Sequence, residues 1–110
     1  MSEKPQAHNR FLSEFPELAA AYEQMGTAVH TGGPLDEKTR QLVKLALAVG
    51  IQHEGAVHAH TRRALGLGIT PNEIKHVVSL AVTTPGLPAT VAAYTWVNDI
   101  LDGDELTIVN

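Results

Sequence analysis

The chain has 110 residues, 44% of them apolar, with eight basic and twelve acidic side chains, a formal charge of −4 and no cysteine. A single domain is expected at this length, and the missing cysteine removes disulfides, thiolate nucleophiles, sulfur-ligated zinc and thiol redox chemistry together. The negative balance and scattered basic residues speak against nucleic acid as a partner, the apolar runs fall short of the roughly 18 residues that cross a bilayer, and the start Met1-Ser2-Glu3-Lys4-Pro5 lacks an apolar signal core, so a cytoplasmic protein is expected.

Helical spacing dominates and no stretch alternates with period two, so the fold class expected is all-α, with about five or six helices. The chain reads as an N-terminal helical segment over 1–34, a core over 35–102 and a tail over 103–110. A polar start leads to Pro16, suited to a first helical turn, after which Leu18, Ala19, Tyr22, Met25 and Val29 recur at helical intervals. Thr31-Gly32-Gly33-Pro34 ends that helix. Asp36 then caps a segment in which Leu42, Val43, Leu45, Ala46, Leu47 and Val49 are apolar nearly all round, which predicts the central buried helix.

Gly50 to Gln52 interrupts or kinks the chain before a histidine-rich helix that closes near Gly66-Leu67-Gly68. Thr70-Pro71-Asn72-Glu73 joins a capping box to a proline at the first helical position, and Ile74, Val77, Val78 and Ala81 form the stripe behind it. Thr84-Pro85-Gly86-Leu87-Pro88 turns the chain into a last helix through Ala92, Tyr94, Trp96, Val97 and Leu101. The tail is read as a loosely held end or an arm on a neighbouring subunit. More apolar surface is present than a chain of this size easily buries, which predicts a homo-oligomer.

Chemistry concentrates in the run His53-Glu54-Gly55-Ala56-Val57-His58-Ala59-His60, because imidazole changes charge near neutral pH and ligates metals. If the run is helical, His53 and His60 share one face about two turns and roughly 10 Å apart, with Ala56 and Val57 between them and His58 turned away. That spacing defines a small pocket with an imidazole at each end. It does not suit one ion held within one chain, since helical chelation uses ligands about one turn apart. Arg62-Arg63 is the only basic doublet, and one of the pair at most faces the pocket. Glu54 diverges from His53 on a helix and reads first as an exposed residue, with a role at a neighbouring subunit's site left open. Glu73 and His76 have the i,i+3 spacing of carboxylate–histidine metal sites, although helix capping explains them as well.

The order of elements resembles a known family. It is carried by Leu35-Asp36 opening Thr39-Arg40-Gln41-Leu42-Val43, the histidine run, Gly68-Ile69-Thr70-Pro71-Asn72-Glu73-Ile74, and Gly86-Leu87-Pro88-Ala89. Over roughly Leu35 to Leu101 the chain is similar to the carboxymuconolactone decarboxylase family, which includes the AhpD-type alkylhydroperoxidase-like proteins. The resemblance implies all-α subunits assembled as trimers or hexamers, with active sites near subunit contacts. In the peroxidase branch two cysteines precede a histidine by seven and four positions, with a relay glutamate one helix earlier. Those positions fall here at His53 and Ala56, His60, and Gln41. Without a thiolate, the thiol route to peroxide reduction is closed.

The decarboxylase branch keeps the histidine without the cysteine pair, and this chain is closer to it. The resemblance therefore implies cofactor-free lyase or isomerase chemistry on a small-molecule carboxylate. His60 is the expected acid–base group, with His53 and Gln41 beside it as catalytic candidates. Glu54, Ala56 and Arg63 are candidates for substrate contact. Two other functions stay open. One is an oligomer in which His53 and His60 of symmetry-related chains share a metal ion. The other is a binding module that kept the pocket and lost catalysis with Gln41.

Overall fold

The computed structural model describes residues 6–103. The reading of the tail as a loose end or arm falls almost wholly on residues 104–110, outside the described ones. The described residues are helical with no strand: α1 (Gln6–Glu14), α2 (Pro16–Thr31), α3 (Glu37–Gly50), α4 (Glu54–Gly66), α5 (Pro71–Ser79), a short 3-10 helix (Leu80–Thr83) and α6 (Leu87–Leu101). They divide into two compact units, Met1–Glu37 and Lys38–Asn110. No described helix is long and apolar enough to cross a membrane.

In the first unit, α1 meets α2 at Phe15, which precedes Pro16 without capping it by side chain. The rings of Phe11 and Phe15 lie 4.9 Å apart at a tilt, an arrangement aromatic pairs favour. The apolar positions expected at helical spacing on α2 are present, yet none of that helix is buried, and Tyr22 and Val29 are 61% and 64% exposed. The nine-residue α1 is too little structure to cover such a stripe.

The second unit holds the core. Leu45, Ala48 and Val49 of α3, Val57 and Ala64 of α4, Ile74 and Val78 of α5, and Ala93 and Val97 of α6 are buried in one cluster with Ile69 and Ala81. Alanines at 64 and 93, both fully buried, let α4 and α6 approach closely. α3 departs from the expectation that it is buried nearly all round. Gln41, Leu45, Ala48 and Val49 face inward, whereas Val43 and Leu47 are exposed. One chain supplies neighbours for a single face of this helix.

Local signals account for most boundaries. Thr70 Oγ1 accepts from the Glu73 amide at 3.1 Å, and Glu73 Oε1 accepts from the Thr70 amide at 3.0 Å, completing the capping box. The other Glu73 oxygen accepts from Lys38 Nζ at 2.8 Å, fastening the start of α3 to the start of α5. The Lys38 ammonium, and after it the Thr70 amide, hold the Glu73 carboxyl below its ordinary value. Glu73 is thereby a cap and a tie, and the alternative reading of Glu73 with His76 as a metal pair gives way to it.

α4 closes with a Schellman motif, in which Gly68 N–H reaches Leu65 O, Ile69 N–H reaches Ala64 O, and Gly68 takes the left-handed φ of 84° that the motif requires. Between α3 and α4 the left-handed position falls on Gln52, at φ 55°, rather than on Gly50. Its side-chain amide donates to Val49 O at 2.9 Å and to Ala89 O at 3.0 Å, so the strained residue ties the end of α3 to the first turn of α6.

Candidate functional site

α4 is the axis of the site, and its two flanks carry different chemistry. Residues two apart on a helix diverge by roughly 200°, so His58 and His60 leave α4 on nearly opposite sides. His60 faces α3. There Gln41, 8% exposed, places Nε2 2.8 Å from His60 Nδ1 and 3.4 Å from the His60 carbonyl oxygen. A carbonyl only accepts, so the Gln41 atom pointing at it is the amide nitrogen, and the same NH2 group then donates to Nδ1. That assignment leaves the proton of neutral His60 on Nε2.

Gln41 is buried because its position on α3 belongs to the inward face with Leu45 and Ala48. Next to His60 on α4, Thr61 is fully buried and returns its hydroxyl to Val57 O at 2.7 Å, which removes a polar group from the core side of the helix. Ala56, half-buried one turn before His60, and Arg63, exposed three residues after it, project from the same flank. Arg62 lies on the opposite flank and is half-buried. The expectation that one member of the doublet at most accompanies the histidine therefore falls on Arg63.

His53 is not where the periodicity put it. The helix begins at Glu54, and His53 is its N-cap, in extended conformation, with Nδ1 accepting the Ala56 amide at 3.0 Å. The expected helical face shared by His53 and His60 does not exist, because the first of the two precedes the helix. Histidine is not among the usual caps, yet Nδ1 is bonded to Cγ just as the oxygen of asparagine is. It reaches the same backbone amide.

The other flank joins three residues that sequence reasoning did not combine. His58 Nε2 is 2.9 Å from Asp99 Oδ2 on α6, the two side chains being 20% and 41% exposed. Glu54, exposed, sits one turn before His58. One ligand atom from each of Glu54, His58 and Asp99 lies within 4.8 Å of the others. The i,i+4 spacing of Glu54 and His58 was the available signal. Asp99, 41 residues beyond His58, had none.

A model of the carboxymuconolactone decarboxylase family matches residues 16–99, beginning earlier than the Leu35 at which the resemblance started. An uncharacterized protein of Haemophilus influenzae is 39% identical over 51 residues, which are 46% of this chain and 45% of that protein, so the match spans less than half of the relative's length. An uncharacterized protein of Methanocaldococcus jannaschii is 32% identical over 78 residues, covering 71% of this chain and 73% of its own. Among solved structures, the apo crystal structure of a carboxymuconolactone decarboxylase family protein from Legionella pneumophila superposes with a TM-score of 0.75 at 28% identity, over 87% of this chain and 86% of that one. With the family model spanning most of its length and the helical order matched in a solved relative, this chain belongs to the carboxymuconolactone decarboxylase family.

Proposed function

We propose that this protein is a thiol-independent lyase or isomerase acting on a small organic acid, with His60 as the acid–base group and Gln41 as its positioning residue. The observation that carries the reading is the 2.8 Å contact between Gln41 Nε2 and His60 Nδ1. It sets which nitrogen of His60 holds the proton, and a reaction at carbon depends on that choice.

A carboxylate in place of Gln41 would accept from Nδ1–H and leave Nε2 as a base. The glutamine amide donates to Nδ1 instead and leaves Nε2–H as a hydrogen-bond donor. In the proposed reaction His60 enters protonated by solvent, and its Nε2–H holds an oxygen of the substrate carboxylate. As the bond from the carboxyl carbon breaks, its electron pair passes into the conjugated system, and carbon dioxide leaves. The resulting dienolate takes the Nε2 proton of the protonated ring at carbon, leaving His60 neutral, and a proton from solvent restores the imidazolium for the next turnover. Rotation of the Gln41 amide offers its oxygen to Nδ1–H in the charged state, so one residue serves both forms. Arg63, on the same flank, is the proposed anchor for the carboxylate, and Ala56 the apolar surface beneath it.

The test is turnover of carboxymuconolactone-type acids, followed by carbon dioxide release, in the parent and in His60→Ala. Loss of at least a hundredfold in rate with an unchanged helical circular dichroism spectrum is expected. Undiminished release by His60→Ala overturns the assignment, and tight binding of the acid by the parent without release reassigns the site to a binding module.

A further inference from the structure

The flank of α4 opposite His60 carries a second arrangement, which the acid–base reading does not use. Glu54 and His58 stand one turn apart on α4, the separation at which a helix presents two ligands to one ion. Asp99 projects from α6 so that its Oδ2 is already 2.9 Å from His58 Nε2. All three donor atoms fall within 4.8 Å of one another. Two carboxylates are thus gathered around one imidazole. Two carboxylate oxygens and an imidazole nitrogen at this separation can share one cation.

We infer that Glu54, His58 and Asp99 form a binding site for one divalent first-row transition ion, such as Zn2+ or Mn2+. The donor set, one imidazole nitrogen and two carboxylate oxygens, suits zinc, a borderline ion, and is open to manganese through its carboxylates, whereas magnesium and calcium take oxygen alone. Donors about 2.1 Å from a tetrahedral ion stand roughly 3.4 Å from each other. The present spread of up to 4.8 Å closes by rotation of Glu54, whose exposed side chain is the mobile member. His58 and Asp99 are the fixed members, being half-buried between α4 and α6. On binding, the ion takes the Nε2 lone pair, and the imidazole proton resides on Nδ1. Three protein ligands leave at least one position for water, the arrangement of an open rather than a closed structural site.

The experiment is isothermal titration of the untagged full chain with zinc chloride, and separately with manganese chloride, beside three variants. One equivalent per chain is expected for the parent. Glu54→Gln, which alters only an exposed side chain, and His58→Gln should each weaken zinc binding at least tenfold. His76→Ala, an exposed histidine elsewhere on the surface, should leave it unchanged. Less than a tenth of an equivalent bound by the parent overturns the proposal. So does binding that Glu54→Gln and His58→Gln leave intact, since that identifies adventitious capture by other histidines. The readout is independent of turnover, so loss of the proposed reaction at His60 has no bearing on it.

Discussion

Gln41 shows how one atom's identity redirects a site. In the proposed reading, an amide where a carboxylate would stand selects the other resting tautomer of His60. Gln41→Leu should convert the His60 ring from one tautomer to a mixture, visible in its 15N chemical shifts, and should cost about 1 kcal/mol of stability by stranding Nδ1. Gln41→Glu should restore a single tautomer of the opposite kind, with the proton on Nδ1. Identical ring shifts in all three proteins would dismiss Gln41 as the positioning residue. Glu73 makes the corresponding electrostatic case. Its folded-state pKa lies below its unfolded value because Lys38 and the Thr70 amide favour the carboxylate. The unfolded chain therefore takes up the proton first as pH falls. The contribution is complete above the ordinary glutamate range and is lost as pH falls through the lower folded-state value. Melting temperature measured from pH 7 to pH 3 should decline less steeply for Glu73→Gln than for the parent.

Elements bounded by residues with familiar capping or turn roles were legible from residues alone, and those bounded by unusual caps or by contacts between helices were not. Thr70-Pro71-Asn72-Glu73 announces α5 because the Thr70 and Glu73 side chains each accept from one unsatisfied amide and Pro71 has none to satisfy, and the structure contains both reciprocal bonds. Thr70→Ala should remove about 1 kcal/mol and lower the melting temperature by roughly 4 °C. No change would show that the Lys38 contact suffices to hold the start of α5. Gly68 likewise ends α4 as its place after the last periodic residue predicts. His53 was misplaced because imidazole has no standing as a cap, and periodicity carried the helix one residue too far. Gln52 was indistinct for a similar reason. With Gly50 nearby, nothing local marks glutamine as the residue that takes the left-handed conformation, and its reward lies in the distant Ala89 carbonyl. The His58–Asp99 pair was hidden because a helix period reports neighbours along one helix, whereas this contact crosses to another.

At the scale of the molecule, the inward stripe of α3 and its exposed outer residues Val43 and Leu47 point in two directions. We propose that a second copy of the chain covers the outer face, forming the trimer or hexamer that the resemblance implies. Sedimentation equilibrium should then give a multiple of the 11.8 kDa chain mass, and Leu47→Glu should shift it toward the single chain. A monomeric parent would remove this part of the reading. The core itself answers to simpler rules. Leu45→Ala, at a fully buried position, should cost about 2–5 kcal/mol. The placement of α6 has a consequence in time. Val57 and Ala64 of α4 and Ile74 and Val78 of α5 are buried in one cluster with Ala93 and Val97, and both helices pack on α6. During synthesis the earlier helices therefore lack their largest shared surface until residues 87–101 have emerged from the ribosome. A chain interrupted before Leu87 is left with its apolar faces in water, a substrate for chaperones and proteases.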